Sequence, residues 1–196
     1  MLNVDLEFIV EKKGKILFRQ LGPSHTFVRN WFNILFCALA GSQSSGSSFG
    51  EGYLNIKRQD GTVIAATYNN TNHYDAGSGV TDYGIVLGRG TTAESFESYS
   101  LATKITHGSG TNQLVYNAQS LPSVSYTSGT KTWLATHQRV FNNNSSAAIT
   151  VTESALISYY GSYYILISRD LLSSSVNVPV GAQLTAKYYI SMQFPA

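Results

Sequence analysis

At 196 residues the chain is long enough for one substantial core or two small ones, and its 12% of charged residues is about half the usual share. A further 12% is aromatic, including thirteen tyrosines, which excludes a disordered chain, since such chains are charge-rich and poor in aromatics. The net charge of +2 is too small to draw nucleic acid or an anionic membrane surface.

A protein that meets solvent through Tyr, Thr, Asn and Ser in place of mixed charge is suited to burying surface against copies of itself. A tyrosine ring offers apolar area while its hydroxyl keeps a hydrogen bond. Composition alone therefore leads to the expectation of an assembled structural protein.

Val4 to Val10 alternates apolar and polar residues, Glu11-Lys12-Lys13-Gly14 turns, and Lys15 to Leu21 continues, which predicts a β-hairpin. The charges gathered there, Glu11, Lys12, Lys13, Lys15 and Arg19, read as its solvated surface. Ser24 is a candidate N-cap for an apolar run from Phe27 to Ala40 that stops at Gly41, the pattern of a helix. Arg29, Asn30 and Asn33 form its one narrow polar stripe, so the helix is expected to be buried on most sides. Its core or contact residues would be Trp31, Phe32, Leu35 and Phe36. The single cysteine, Cys37, lies in the same run and excludes an intrachain disulfide framework; it reads as a buried thiol. The run is shorter than the roughly 20 apolar residues of a membrane span and is interrupted by polar residues, so no span is expected. Met1 to Glu7 has neither a basic nor an apolar signal region, so no signal peptide is expected.

Residues 42–52 are rich in Gly and Ser and read as a linker between an N-terminal part, 1–41, and a body, 53–196. In the body, Tyr53 to Lys57 and Thr62 to Thr67 flank Gln59-Asp60-Gly61, a hairpin signal. Further strands are predicted at Tyr83–Leu87, Gln113–Asn117, Val124–Thr127, Thr132–Phe141, Ala148–Thr152, Tyr163–Ser168 and Leu184–Gln193. Short strands at this spacing indicate a sandwich or barrel instead of alternating βαβ units.

Gly84 to Thr92 contains closely spaced glycines but no Gly-Lys-Ser/Thr and no following helix, so it reads as a glycine turn closing a strand. His25, His73, His107 and His137 are not spaced as metal ligands, and no Gly-x-Ser-x-Gly stands on a strand-to-helix turn. A Ser-His-Asp triad assembled from distant positions stays open. No catalytic residue, cofactor or metal ligand is assigned. Tyr159-Tyr160-Gly161-Ser162-Tyr163-Tyr164 is the densest aromatic cluster and reads as a strand–turn–strand tip. Its tyrosines, Tyr159, Tyr160, Tyr163 and Tyr164, would either pack on a neighbouring subunit or bind a glycan.

Arg139-Val140-Phe141-Asn142-Asn143 leads to Ile149-Thr150-Val151-Thr152-Glu153, then to Arg169-Asp170, and on to Val178-Pro179-Val180-Gly181-Ala182-Gln183-Leu184 with Tyr188 and Ile190. Together with Tyr83 to Thr92, Tyr99-Ser100-Leu101 and Ser24 to Asn30, this resembles a pattern in β-sandwich structural proteins of tailed phages and related viruses. The resemblance implies a virion component, with capsid, decoration or turret, and tail roles all open, and it carries over no catalytic residue.

The chain is thus expected to be mostly β: an antiparallel, jelly-roll-like β-sandwich with an N-terminal hairpin and one buried helix. Its expected role is non-enzymatic, assembling in a virion with copies of itself and other virion structural proteins after synthesis in the host cytoplasm. The alternative is a receptor- or glycan-binding adhesin domain on the virion surface, recognising a host-surface glycan through the tyrosine tip. Neither reading calls for a small-molecule substrate or nucleic acid.

Overall fold

The alternation of Val4, Leu6, Phe8 and Val10 builds β1 (Leu2–Lys12), which turns through Lys13-Gly14 into β2 (Lys15–Pro23). Both turn residues have positive φ, 52° and 75°, the backbone hand that matches the twist of a two-residue hairpin. The protein is described by a computed structural model covering residues 2–24, 27–41, 54–67 and 72–194. The expected linker, 42–52, lies outside the described residues.

Helix α1 (Arg29–Ala40) ends at Gly41 in the left-handed region, as its glycine stop signal requires. Its start differs from expectation. Val28 occupies the N-cap position without a side-chain cap, while the Ser24 hydroxyl donates to Asp170, a buried carboxylate far along the chain.

Three short strands follow, β3 (Asn55–Lys57), β4 (Val63–Ala65) and β5 (Asn72–His73). Then come β6 (Gly84–Gly88), β7 (Val115–Tyr116), β8 (Ser123–Thr127) and β9 (Thr132–Asn142). The last three are β10 (Ile149–Tyr160), β11 (Tyr163–Val178) and β12 (Gln183–Gln193). β10 and β11 run well past the ends expected at Thr152 and Ser168. Register shifts at Val151/Glu153 and Leu156/Ile157 absorb the irregular residues, and the Ser-rich stretch of β11 is tied to β2 by Gln20, which bonds Ser173 and Ser174.

The strand pairs are antiparallel. One sheet has the order β2-β1-β12-β9-β7, with β8 also on β9; the second has β11-β10-β5, with β6 also on β10; β3 and β4 form a separate hairpin. β1 pairs with β12 from Leu2↔Met192 to Glu11↔Gln183, so the N-terminal hairpin is continuous with the sheet of the body.

Two cores result. The main one lies between the sheets, where Leu6, Phe8, Val10, Phe141, Leu184 and Tyr188 meet Ile85, Leu87, Val151, Leu156, Leu166 and Val176. A β-sandwich is the outcome. The smaller core joins α1 to β11 and the β3–β4 hairpin through Ile34, Cys37, Ile56, Ala66, Tyr160, Ile165 and Ile167. Cys37 is fully buried there, which raises its thiol pKa and keeps it protonated.

Candidate functional site

The tyrosine tip forms where β10 turns into β11. Gly161 takes φ 65°, a left-handed value that glycine adopts without strain, and the pairs Tyr159↔Tyr164 and Tyr160↔Tyr163 face each other across the strands. The four tyrosines divide. Tyr160 points into the smaller core, where its hydroxyl accepts from the Thr67 amide at 2.8 Å. Tyr159, Tyr163 and Tyr164 stay 37–38% exposed.

The exposed rings are held in place by residues from other elements. Tyr83 stacks on Tyr164 with ring planes 6° apart and centroids 6.0 Å apart, and Tyr159 leans on both. The Arg58 guanidinium lies 4.8 Å from the centre of the Tyr163 ring. Burial and the nearby Asp82 carboxylate raise the Tyr164 pKa, keeping its hydroxyl a donor. Beside the rings opens a cavity of about 400 Å³, lined by Arg58, Asp60, Asp82, Lys104, Tyr163 and Tyr164 among others. Two ion pairs stand in that lining, Arg58–Asp60 at 2.9 Å and Lys104–Asp82 at 3.1 Å. The sequence marked the tyrosines; Tyr83, Asp82 and Lys104 reach them only through the fold.

The helix residues are arranged differently from expectation. Asn30 and Asn33 are buried, and Phe32 and Phe36 are exposed, with Trp31 and Leu35 intermediate. Of the expected polar stripe, Asn30 and Asn33 therefore face inward while Arg29 stays part-exposed beside Glu97 at 3.3 Å, and burial on most sides is corrected to burial on one. The reason is hydrogen bonding. Asn30 donates to the Lys57 and Leu166 carbonyls and accepts from the Lys57 amide, and Asn33 donates to the Asn55 carbonyl. These amides complete the backbone of β3, while Trp31 stacks on Phe27 at 4.8 Å. On the outer face Phe32 leans on Phe96, which is itself exposed, and Phe36 and Leu39 lie open.

A second apolar surface was not anticipated. The inward face of the larger sheet is a ladder of cross-strand rungs. Val10, Leu184 and Phe141 form one, Phe8, Ala186 and Arg139 the next, then Leu6, Tyr188 and His137, all buried. Val4, Ile190, Ala135 and Val124 come next, and Leu2, Met192, Trp133 and Tyr126 form the last. In that last rung the exposures are 38%, 54%, 48% and 52%. The core-facing side of the sheet thus outruns its cover and presents an apolar strip, with Tyr126 and Trp133 in ring contact at 4.6 Å. β8 closes this end as an edge strand exposed along its whole length, pairing only with β9 among the described strands.

The residues of the viral-protein resemblance are mostly scaffold. Arg139 is buried and donates to five carbonyls, those of Gly77, Val80, Tyr83, Ile85 and Asn117. Asn143 ties Ser145, Ala147 and Val178 together. Asp170 accepts from Ser24, Ser168 and Tyr188. The glycine run at 84–92 makes room for a carboxylate: a Cβ at Gly88 or Gly90 would lie within 2.5 Å of Glu153.

The histidines are dispersed. His73 is 4.0 Å from Asp75 at the surface, His107 accepts from the Tyr116 amide, and His137 is buried; His25 lies outside the described residues. No group of three His, Cys, Asp or Glu among the described residues could hold a metal ion, and no described helix is long and apolar enough to cross a membrane.

No family model, curated protein or solved structure matches this chain.

Proposed function

We propose that the chain is a non-enzymatic virion structural subunit that works by self-assembly, in a capsid, decoration or turret, or tail position. The observation that carries this reading is the uncovered last rung, Leu2, Met192, Trp133 and Tyr126, continued by the exposed Val124 of the rung before it, at the end of a sheet whose first three rungs form the core. A contiguous apolar strip of this kind is a contact surface in waiting. The strip and its flanking residues Ser123, Ser125, Thr127, Thr132 and Ser191 carry no charge, so burying them against a copy desolvates no ion. The open edge of β8 offers backbone donors and acceptors beside it. The outer face of α1, with Phe32, Phe36 and Leu39, supplies a second apolar contact for another virion protein.

The resemblance to β-sandwich structural proteins of tailed phages supports the same reading, because Arg139, Asn143, Glu153, Arg169 and Asp170 act here as internal braces of a rigid block. Such a subunit would be made in the host cytoplasm and end in the virion. The test is light scattering with negative-stain microscopy on the purified chain across a concentration series. Rings, tubes or shells growing with concentration support the proposal, and a monodisperse monomer at millimolar concentration overturns it.

A further inference from the structure

We propose that the cavity beside the tyrosine tip is a binding site for a short neutral saccharide. This inference stands apart from the assembly reading, since the tip is built from β10, β11 and the β3–β4 turn and shares no residue with the uncovered sheet end. The volume of about 400 Å³ falls in the range of small-ligand sites. Such sites are mostly apolar in lining, whereas this one carries two cations and two carboxylates, Arg58, Lys104, Asp60 and Asp82.

The four charges cancel as two ion pairs, so the site has no net pull on an anion such as a phosphate, or on a cation. Each group nevertheless retains hydrogen-bonding capacity. A carboxylate has about four acceptor positions and a guanidinium five donors, and one ion pair uses only part of either. Alternating acceptors and donors of this kind match a ligand that carries hydroxyls on adjacent carbons, each of which both donates and accepts. The Gln59 amide, which donates to the Asp82 carbonyl at 2.8 Å, holds the Asp82 segment against the β3–β4 turn.

The rings supply the other half of the recognition. Tyr163 is backed by Arg58 and Tyr164 by Tyr83, so both are fixed before a ligand arrives while remaining 38% exposed. Rigid, exposed aromatic surface is the partner of choice for the apolar C–H face of a sugar ring, and its prior ordering lowers the entropy cost of binding. Hydroxyl-matching charges and exposed tyrosine rings in one lining are the combination a saccharide uses, and the balance of charge leaves nothing to draw the phosphates of a nucleotide.

The experiment uses the purified full chain on an array of neutral, sialylated and sulfated oligosaccharides, with saturation-transfer NMR on those retained. Retention of one or more neutral glycans, weakened roughly tenfold by Asp82→Asn and by Tyr163→Ala, is the expected result. Ile16→Thr, on the exposed face of the N-terminal hairpin, should bind as the parent does. Asp82 is half exposed, so Asp82→Asn should keep the parent thermal midpoint even if Tyr163→Ala does not. The proposal is overturned if no neutral glycan is retained, if only sialylated or sulfated glycans are, or if Asp82→Asn binds like the parent.

Discussion

Glu153 and Arg169 meet at 2.9 Å inside the sandwich, with Glu153 fully buried and Arg169 nearly so. The pair is also a clamp on the loop after β6. Glu153 accepts from the amides of Gly90, Ala102 and Thr103, and Arg169 donates to the carbonyls of Thr92 and Ala93.

Removing one partner strands a buried charge, so Arg169→Leu should cost about 3–5 kcal/mol in urea denaturation. The double variant Glu153→Met/Arg169→Leu should not regain parent stability, because three amides lose their acceptor. A double variant as stable as the parent would show that the carboxylate braces nothing but the guanidinium. Gly90→Ala should also destabilise, by roughly 1–3 kcal/mol, since its Cβ would meet Glu153 and Ala102 at 2.4 and 2.5 Å.

Arg139 holds the 77–85 segment and Asn117 with five backbone bonds while stacking on Tyr116 at 4.9 Å. Lysine offers three donors from one point and no planar fork, so Arg139→Lys should destabilise by about 2–4 kcal/mol. Hydrogen exchange should rise first across residues 77–85. Uniform loosening of the whole chain would contradict the bracing role.

His137 is buried against the edge of Tyr74, and its Nδ1 finds no hydrogen-bond partner among the described residues. Burial lowers its pKa to about 4 from an ordinary 6.5. The unfolded chain therefore takes up a proton at a higher pH than the folded one. The neutral ring's contribution is complete above pH 6.5 and is lost as pH falls from 6.5 towards 4. The loss should reach about 3 kcal/mol at most. Glu7, whose pKa lies below its ordinary value because of Tyr189, Arg19 and Lys187, loses its contribution at lower pH still. Unfolding free energies from pH 7.5 to 4.5 should slope downwards in the parent and flatten in His137→Leu; parallel slopes would exclude His137 as the source.

On α1, Asn30→Ala should cost about 1–3 kcal/mol by stranding the Lys57 amide, whereas Phe36→Ser should leave the monomer's thermal midpoint nearly unchanged. The reverse ranking would restore the orientation read from the sequence.

That reversal shows where the sequence is legible. Alternation in Val4 to Val10 and the Lys13-Gly14 and Gly161-Ser162 turns located strands and tips, because those signals are local. The faces of α1 were not legible: Asn30 and Asn33, three residues apart, mark one side equally well as wet or as buried against an unpaired strand backbone. His137, Arg139 and Glu153 share the inward parity of Phe141, Ile149 and Val151, a signal that they belong to the interior. Reading them as internal braces required the loops that return over them. The uncovered rung needed more still, since Leu2, Tyr126, Trp133 and Met192 become neighbours only once the register of four strands is known.

That rung tests the central claim most directly. Trp133→Glu and Met192→Glu place charge on surface that is exposed in the isolated chain, so each should fold with nearly the parent thermal midpoint. Sedimentation velocity at matched concentrations should show the parent as large oligomers and both variants as monomers. Parent and variants sedimenting alike, whether all assembled or all monomeric, would contradict assembly through this end of the sandwich.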